Sequence, residues 1–149
     1  MARFNGSRLS EAARRRALIE ERVFKGIELY RRGRVRFPYR WAGDGLKVGK
    51  TLFGVLSDSK PGEMYIVEPA GGRGTCTCPD YAKRGEWLGL CKHIAAVLAY
   101  KGELRCVLCG RPAGLSTTCL SCQAEAAQAQ AAADAAYCRA ADLEALLFG

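Results

Sequence analysis

The chain has 149 residues, 49% hydrophobic and 26% charged, which suits one folded domain with an appendage and excludes two large domains. The first residues lack the apolar run of a secretory signal, and no uninterrupted apolar stretch reaches the roughly 18 residues of a membrane span. These features favour a cytoplasmic protein with no membrane partner. In a reducing compartment, its eight cysteines are better explained by metal binding than by disulfides.

The net charge of +8 is unevenly distributed along the chain. Residues 1–40 contain 12 Lys or Arg and four acidic residues, whereas residues 123–149 have a net charge of −3. A positive field concentrated in one part of a protein favours a polyanionic partner, so nucleic acid is the first partner to consider.

A basic helix is predicted at the start of the chain. Ser10 is a candidate N-cap, apolar residues recur at spacing four from Ile19 to Ile27, and Gly33 is typical of a helix end. Residues 1–33 therefore form the first predicted unit, a helix packed on the core. Its candidate nucleic-acid contacts are Arg14, Arg15, Arg16, Arg22 and Arg31. A solvated helix face with neighbouring glutamates explains these arginines equally well.

A small antiparallel sheet is predicted next. Residues 34–41 alternate between basic and apolar side chains, as in a half-buried strand, and Pro38 places this strand at a sheet edge or a bulge. Further strands are expected within residues 46–56 and at residues 64–67, before a glycine-rich link at residues 71–74. The outward side of the first strand adds three candidate nucleic-acid contacts: Arg34, Arg36 and Arg40.

A metal-site pattern follows the sheet. Cys76 and Cys78, placed on a strand, are followed after twelve residues by Cys91 and His93, placed at the start of a helix. Three thiolates and one imidazole can close a tetrahedron around zinc with no open position, as a structural site requires. The alternative, ordinary buried cysteines, is disfavoured because a second cysteine cluster follows directly.

The pattern resembles the SWIM zinc finger. The string Cys78-Pro79-Asp80-Tyr81 resembles the family's Cys-Pro-x-aromatic motif, and Cys91-Lys92-His93-Ile94 resembles its Cys-Lys-His-hydrophobic motif. Upstream, residues 26–35 resemble the Gly-x-x-x-Tyr-x-x-Gly-x-Val lead-in of bacterial members. The resemblance covers about residues 20–101. It implies a zinc-held β-hairpin packed on a short helix, with the ligands Cys76, Cys78, Cys91 and His93.

The segment between the two ligand pairs, residues 81–90, is predicted to be a projecting loop. Lys83 and Arg84 are its candidate nucleic-acid contacts, and Trp87 either contacts a partner or packs on the core. Together with the sheet and the finger, this loop belongs to the second predicted unit, residues 34–102.

A four-cysteine module is predicted in residues 103–122. Two Cys-x-x-Cys pairs at this separation are a strong zinc pattern, and the predicted ligands are Cys106, Cys109, Cys119 and Cys122. A thioredoxin-like redox role is disfavoured because no βαβ pattern surrounds the pairs. The SWIM resemblance does not extend to this module.

Residues 123–149 are alanine-rich and predict a helix. Tyr137, Leu143 and Leu147 lie near one stripe, and docking of this helix onto the chain's own core is the expected arrangement. A homodimer or another protein partner is the alternative hypothesis. Cys138 is left without a metal site and is expected to be buried.

The predicted fold class is therefore α+β: an N-terminal helix, a small antiparallel sheet, a zinc-held ββα SWIM unit, a four-cysteine module and a C-terminal helix. Two zinc ions per chain are expected. The single histidine is assigned to zinc and both metal sites are closed, so the sequence predicts a protein that is not an enzyme.

Two functions compete on the sequence alone. The first is zinc-dependent DNA binding, mainly to phosphates, in recombination, transposition, repair or transcription. The second is a zinc-stabilised adaptor that recruits a nucleic-acid enzyme, since the SWIM resemblance implies either role. Metal or redox sensing is a third hypothesis.

Overall fold

The computed structural model of the protein describes residues 10–37 and 52–148. These residues form four helices and four strands in an α+β arrangement, which confirms the predicted fold class. The elements are α1 (Glu11–Arg31), β1 (Val35–Arg36), β2 (Phe53–Leu56), β3 (Met64–Ala70), β4 (Arg73–Cys76), α2 (Pro79–Leu88), α3 (Lys92–Lys101) and α4 (Leu120–Phe148).

Both ends of α1 are set by local hydrogen bonds. The Ser10 hydroxyl accepts a hydrogen bond from the Ala13 N–H at 3.2 Å, as an N-cap does. At the other end Gly33 has φ +67°, its N–H donates to the Tyr30 carbonyl, and the Arg34 N–H donates to the Leu29 carbonyl. This Schellman arrangement needs a left-handed residue, and glycine adopts that conformation without steric cost.

The sheet has the strand order β1-β2-β3-β4, and every neighbouring pair is antiparallel. Gly71 and Gly72, with φ of +52° and +80°, make a two-residue turn between β3 and β4. The prediction of a glycine-rich link through residue 74 was wrong, because Arg73 pairs with Ala70 and Gly74 pairs with Pro69. A two-residue hairpin turn needs only Gly71 and Gly72, so Gly74 is free to belong to the strand.

The predicted first strand is only partly described. β1 contains Val35, which is buried, and Arg36, which is exposed, in agreement with the predicted alternation. Phe37, predicted to lie on the buried face of this strand, is instead beyond the end of β1 and is 49% exposed, with its ring stacked on that of Phe53 at 4.6 Å between centres. Residues 38–41, which include Arg40, lie outside the described residues.

Helix α3 is the centre of the core. Its residues from His93 to Ala99 are all buried, because the helix packs against α1 on one side and the sheet on the other. A helix that is apolar all round fits only such a position. The α1 contact is unusually close: a Cβ added at Gly26 would lie 2.5 Å from the Ala95 Cβ and 2.7 Å from the Lys92 carbonyl oxygen.

The C-terminal helix α4 contributes no residue to the core. From Gln123 to Phe148 every side chain is exposed, and Cys138 is exposed with the rest. The predictions that this helix docks onto the chain's own core and that Cys138 is buried were therefore wrong. Alanine gives the segment its helical conformation without requiring a packing partner.

None of the described helices combines the length and the apolar composition needed to cross a lipid bilayer.

Candidate metal centres and the adjoining helices

The first metal centre lies where β4, α2 and α3 meet. Cys76 is the last residue of β4, Cys78 is the N-cap of α2, Cys91 is the N-cap of α3, and His93 lies in the first turn of α3. Their four donor atoms lie within 4.8 Å of one another, and all four residues are buried. The fold therefore brings together all the predicted ligands of the first site.

The distances suit a single zinc ion. The Cys91 Sγ and the His93 Nδ1 are 3.9 Å apart. Zinc–sulfur bonds of about 2.3 Å and zinc–nitrogen bonds of about 2.0 Å place two donors of one tetrahedron about 3.6 Å apart. Four protein donors fill the tetrahedron, so these residues can hold zinc as a closed structural site.

The surroundings of His93 fit a ligand better than a core histidine. The residue is 3% exposed, and its ring lies 4.7 Å from the ring of Tyr65, centre to centre. Within the described part of the chain, Nε2 has no hydrogen-bond partner, and Nδ1 faces the Cys91 sulfur. A core histidine normally hydrogen-bonds through its ring, whereas Nδ1 here faces the sulfur of another predicted ligand, which is where a bond to a shared metal ion would form.

The sulfur of Cys78 receives hydrogen bonds that favour its thiolate form. Hydrogen bonds from the Cys76 and Cys91 thiols hold the pKa of Cys78 well below its usual range, and the same contact with Cys78 raises the pKa of Cys76. The Tyr81 N–H also donates to the Cys78 sulfur at 3.3 Å. The partial positive charge at the N-terminus of α2 stabilises a thiolate at this position, and the thiolate is the form that binds zinc.

Two predictions around this site need correction. Cys78 does not lie on a strand, and the predicted loop at residues 81–90 is mostly helix α2. The Cys78 sulfur caps this helix, Pro79 occupies its first turn, and Gly89 ends it with φ +73°. Proline at the start and left-handed glycine at the end are standard helix boundaries. Lys83 and Arg84 are therefore presented on a helix.

The second metal centre is built from a short hairpin and the start of α4. Arg105 and Pro112 form a bridge, the Cys106 N–H donates to the Arg111 carbonyl at 2.7 Å, and Gly110 turns the chain with φ +75°. This hairpin carries the first two donors, and the second pair flanks the first turn of α4. The predicted ligands Cys106, Cys109, Cys119 and Cys122 all come together, with sulfurs within 4.8 Å of one another.

Backbone N–H groups favour the thiolate form of two of these cysteines. Although burial opposes it, N–H groups of Cys119, Cys109 and Leu108 lower the pKa of Cys106 to about 6. The Cys122 N–H lowers the pKa of Cys119 in the same way. The Cys109 and Cys119 sulfurs are 3.5 Å apart, which suits two ligands of one zinc ion and is far beyond the roughly 2.05 Å of a disulfide. The four cysteines can therefore hold the second zinc.

Helix α2 is attached to α1 at both ends. Near its start, Asp80 accepts two hydrogen bonds of 2.9 Å from the Arg22 guanidinium. Near its end, the Trp87 carbonyl accepts one of 2.9 Å from Arg15 Nε. The two helices are therefore antiparallel neighbours. This role of Asp80 was not predicted from the sequence, because Asp80 occupies the variable position of the Cys-Pro-x-aromatic motif.

Arg22 is a structural residue. Its side chain is only 9% exposed and both of its outer hydrogen-bonding edges are occupied, by Asp80 and by the Leu18 carbonyl. The prediction that it contacts nucleic acid does not agree with this burial. The hydrogen bonds from Arg22 hold the pKa of Asp80 below its usual range, and they raise the pKa of Arg22.

Replacing Asp80 by Asn is expected to destabilise the zinc-loaded protein by about 1–3 kcal/mol at neutral pH, because it leaves the Arg22 charge buried without its counter-ion. The lowered pKa of Asp80 also means that its ionised carboxylate stabilises the folded state. This contribution to the free energy of unfolding is fully present above the ordinary carboxyl pKa, and it is lost as the pH falls through the lower pKa of the folded state. Thermal melting followed by circular dichroism measures the change.

The matched control is Glu21→Gln, which makes the same chemical change in an ion pair whose two side chains are more than half exposed. Its expected cost is below about 0.5 kcal/mol. Equal destabilisation by the two variants would contradict a special role for the Arg22–Asp80 pair.

The structure groups five of the predicted nucleic-acid contacts on the α1–α2 pair. The Arg14 guanidinium lies 5.6 Å from the centre of the Trp87 ring, a cation–π distance, and Arg15 is fixed by the Trp87 carbonyl. The "basic helix pair" consists of Arg14, Arg15, Arg16, Lys83 and Arg84. Among the residues described, Arg16, Lys83 and Arg84 are exposed and have no ion-pair partner within 4.0 Å.

Three further candidates lie at the C-terminal end of α1 or just after it, and each has a partner of its own. Arg31 is 3.9 Å from Glu28, Arg34 is 3.6 Å from Asp58, and Arg36 donates to the Gly33 carbonyl. Their involvement with nucleic acid stays a prediction.

Comparison with known proteins identifies the first centre. Residues 65–102 match the SWIM zinc finger family. The matched segment begins in β3, ends at the residue that caps α3, and contains all four donors of the first site. No curated protein and no solved structure matches the chain. Residues 65–102 are thus similar to the SWIM zinc finger over its whole ligand set, and a second cluster, of four cysteines that can hold zinc, follows them in the chain.

Proposed function

We propose that the protein is a zinc-dependent DNA-binding protein that acts in recombination, transposition, repair or transcription, and that it is not an enzyme. The observation that carries this proposal is the basic helix pair: arginines of α1 are held against α2, and α2 begins at a zinc ligand. The finger is then the support that positions the cationic side chains.

Several features support a binding role over catalysis. Each metal site has four protein donors, so neither leaves the open position that a zinc-activated water needs. The single histidine is one of those donors. A closed zinc site stabilises a fold, and the cationic surface beside it then supplies the interaction.

The chemistry of the basic helix pair suits phosphate groups. Arginine forms bidentate hydrogen bonds with phosphate oxygens, and exposed lysine adds a point charge. Contacts of this kind fix a protein on DNA without reading its sequence, and they release counter-ions. Binding should therefore weaken steeply with salt and depend little on base sequence.

Replacing Arg14 and Arg16 together by alanine is expected to weaken DNA binding and to reduce the slope of log K against log salt by about one for each arginine. Titration of labelled duplex and single-stranded DNA by fluorescence anisotropy at several salt concentrations measures both quantities. Zinc-loaded protein should be used, with melting curves to confirm that the variants are folded.

Arg111→Ala is the matched control, because Arg111 is an exposed arginine of the second metal module, outside the basic helix pair. It should leave the affinity and the salt slope nearly unchanged. Unchanged binding by the Arg14 and Arg16 double variant would remove the basic helix pair from the proposal.

A zinc-stabilised adaptor for a nucleic-acid enzyme is the second candidate. It is favoured by the four-cysteine module and by α4, whose side chains beyond the metal site are exposed. The adaptor function predicts that zinc-loaded protein fails to bind DNA even at low salt, whereas deletion of residues 123–149 abolishes binding to the partner enzyme. DNA binding that survives this deletion would favour the first candidate.

A further inference from the structure

One face of α4 has a regular repeat that the folded chain leaves uncovered. Its apolar residues are separated alternately by three and four positions over three heptads. This "α4 stripe" consists of Ala126, Ala129, Ala133, Ala136, Ala140, Leu143 and Leu147. A spacing of 3.5 residues is that of a left-handed coiled coil, in which such positions face a partner helix.

The stripe is exposed along its whole length. Leu143 is 60% exposed and Leu147 is 75% exposed, and Tyr137 beside the stripe is 78% exposed. In the described part of the chain α4 makes no sizeable contact with any other helix or strand. The two leucines of the stripe, together with Tyr137 beside it, gain free energy if a second helix covers them.

The charges beside the stripe identify the partner as a second α4. In heptad terms Arg139 occupies position g and Glu144 occupies position e of the next heptad. In a parallel coiled coil, g of one helix faces e of its partner, so Arg139 of each copy would face Glu144 of the other. Within one helix these residues lie on opposite flanks of the stripe, and no Arg139–Glu144 ion pair occurs in the described structure.

We infer that α4 is a self-association helix, which pairs in parallel with α4 of a second copy through the α4 stripe. The alanines allow the two helix backbones to approach closely, and the leucines near the C-terminal end provide most of the buried apolar area. Because only two of the seven stripe positions are leucine, we expect a weak dimer that dissociates into monomers when the protein is diluted.

The test compares two substitutions of one chemical kind. Ala133→Glu places a charge on the stripe, whereas Ala131→Glu places it on the opposite side of the helix, two residues away. Sedimentation equilibrium of the zinc-loaded full chain, without nucleic acid, should show a monomer–dimer equilibrium for the natural chain. Ala133→Glu should shift the midpoint at least tenfold toward higher concentration, and Ala131→Glu should not shift it.

Charge reversal tests the parallel orientation. Arg139→Glu should weaken the dimer, and Glu144→Arg added to it should restore association, because the two changes exchange the signs of an intermolecular pair. Glutamate is a good helix former, so circular dichroism should show intact α4 in every variant.

A monomer at millimolar concentration would overturn the inference, and so would equal loss of association in the Ala133 and Ala131 variants. A dimer that the second charge reversal fails to restore would contradict the parallel arrangement.

Discussion

Removal of zinc from the first centre, by a chelator or by His93→Ala, is expected to abolish cooperative melting of the core. Helix α3 separates α1 from the sheet, and it begins at Cys91 and His93. Structural zinc binding is worth about 10–16 kcal/mol at neutral pH, which is comparable to the total stability of about 5–15 kcal/mol for an ordinary domain. Without the metal, nothing at this site links β4 to the starts of α2 and α3.

Thermal denaturation followed by circular dichroism, with zinc content measured by elemental analysis, tests this expectation. The natural chain should contain two zinc ions. The control is Cys109→Ser, since Cys109 is an exposed ligand of the second centre. That variant should contain one zinc ion and still melt cooperatively. Metal-free protein that melts like the zinc-loaded protein would show that zinc does not support the core.

Substitution of Gly26 by Val is expected to destabilise the protein by about 2–3 kcal/mol, the upper part of the range for overpacking. The added Cβ would come within 3.0 Å of Ala95, the Lys92 carbonyl and the backbone of Ala96. These atoms belong to the backbone of α3 or are attached directly to it, so relief requires the two helices to separate. Denaturant unfolding of the zinc-loaded protein measures the change.

Ala17→Val, on an exposed position of α1, is the control for Gly26→Val. Valine there costs only its lower helix propensity, below about 1 kcal/mol. If both variants lose the same free energy of unfolding, the cost comes from the helix itself, and close packing of α1 on α3 is not required for stability.

The sequence predicted both sets of four residues that the fold brings together as candidate zinc ligands. Zinc accepts only a few residue types as ligands, and the four candidate ligands of each centre lie within one short segment of the chain. Their spacing in the sequence is therefore enough to identify which residues belong together. The lead-in motif also has a physical basis in the fold: Gly26 permits the close helix contact, Tyr30 packs edge-on to Tyr100, and Gly33 turns the chain after α1.

Other features depend on contacts that no local pattern contains. Arg22 looked like its neighbouring arginines, and only the position of Asp80, far along the chain, shows that it is buried in an ion pair. Helix α2 was mistaken for a loop because a cysteine is an unusual N-cap. The apolar spacing of α4 predicted a packing face but could not specify which molecule covers it.

The position of Gly26 against Ala95 also bears on the order in which the chain folds. The ligands of each metal centre lie within one short segment, residues 76–93 or residues 106–122. The α1–α3 contact joins residues about 70 positions apart, and each doubling of a loop costs about 0.6 kcal/mol more in closure entropy. Metal-bound segments can therefore form by local search, and docking of α1 is the step that depends on long-range diffusion of the chain. The N-terminal arginines reach their places beside Trp87 only at that late step.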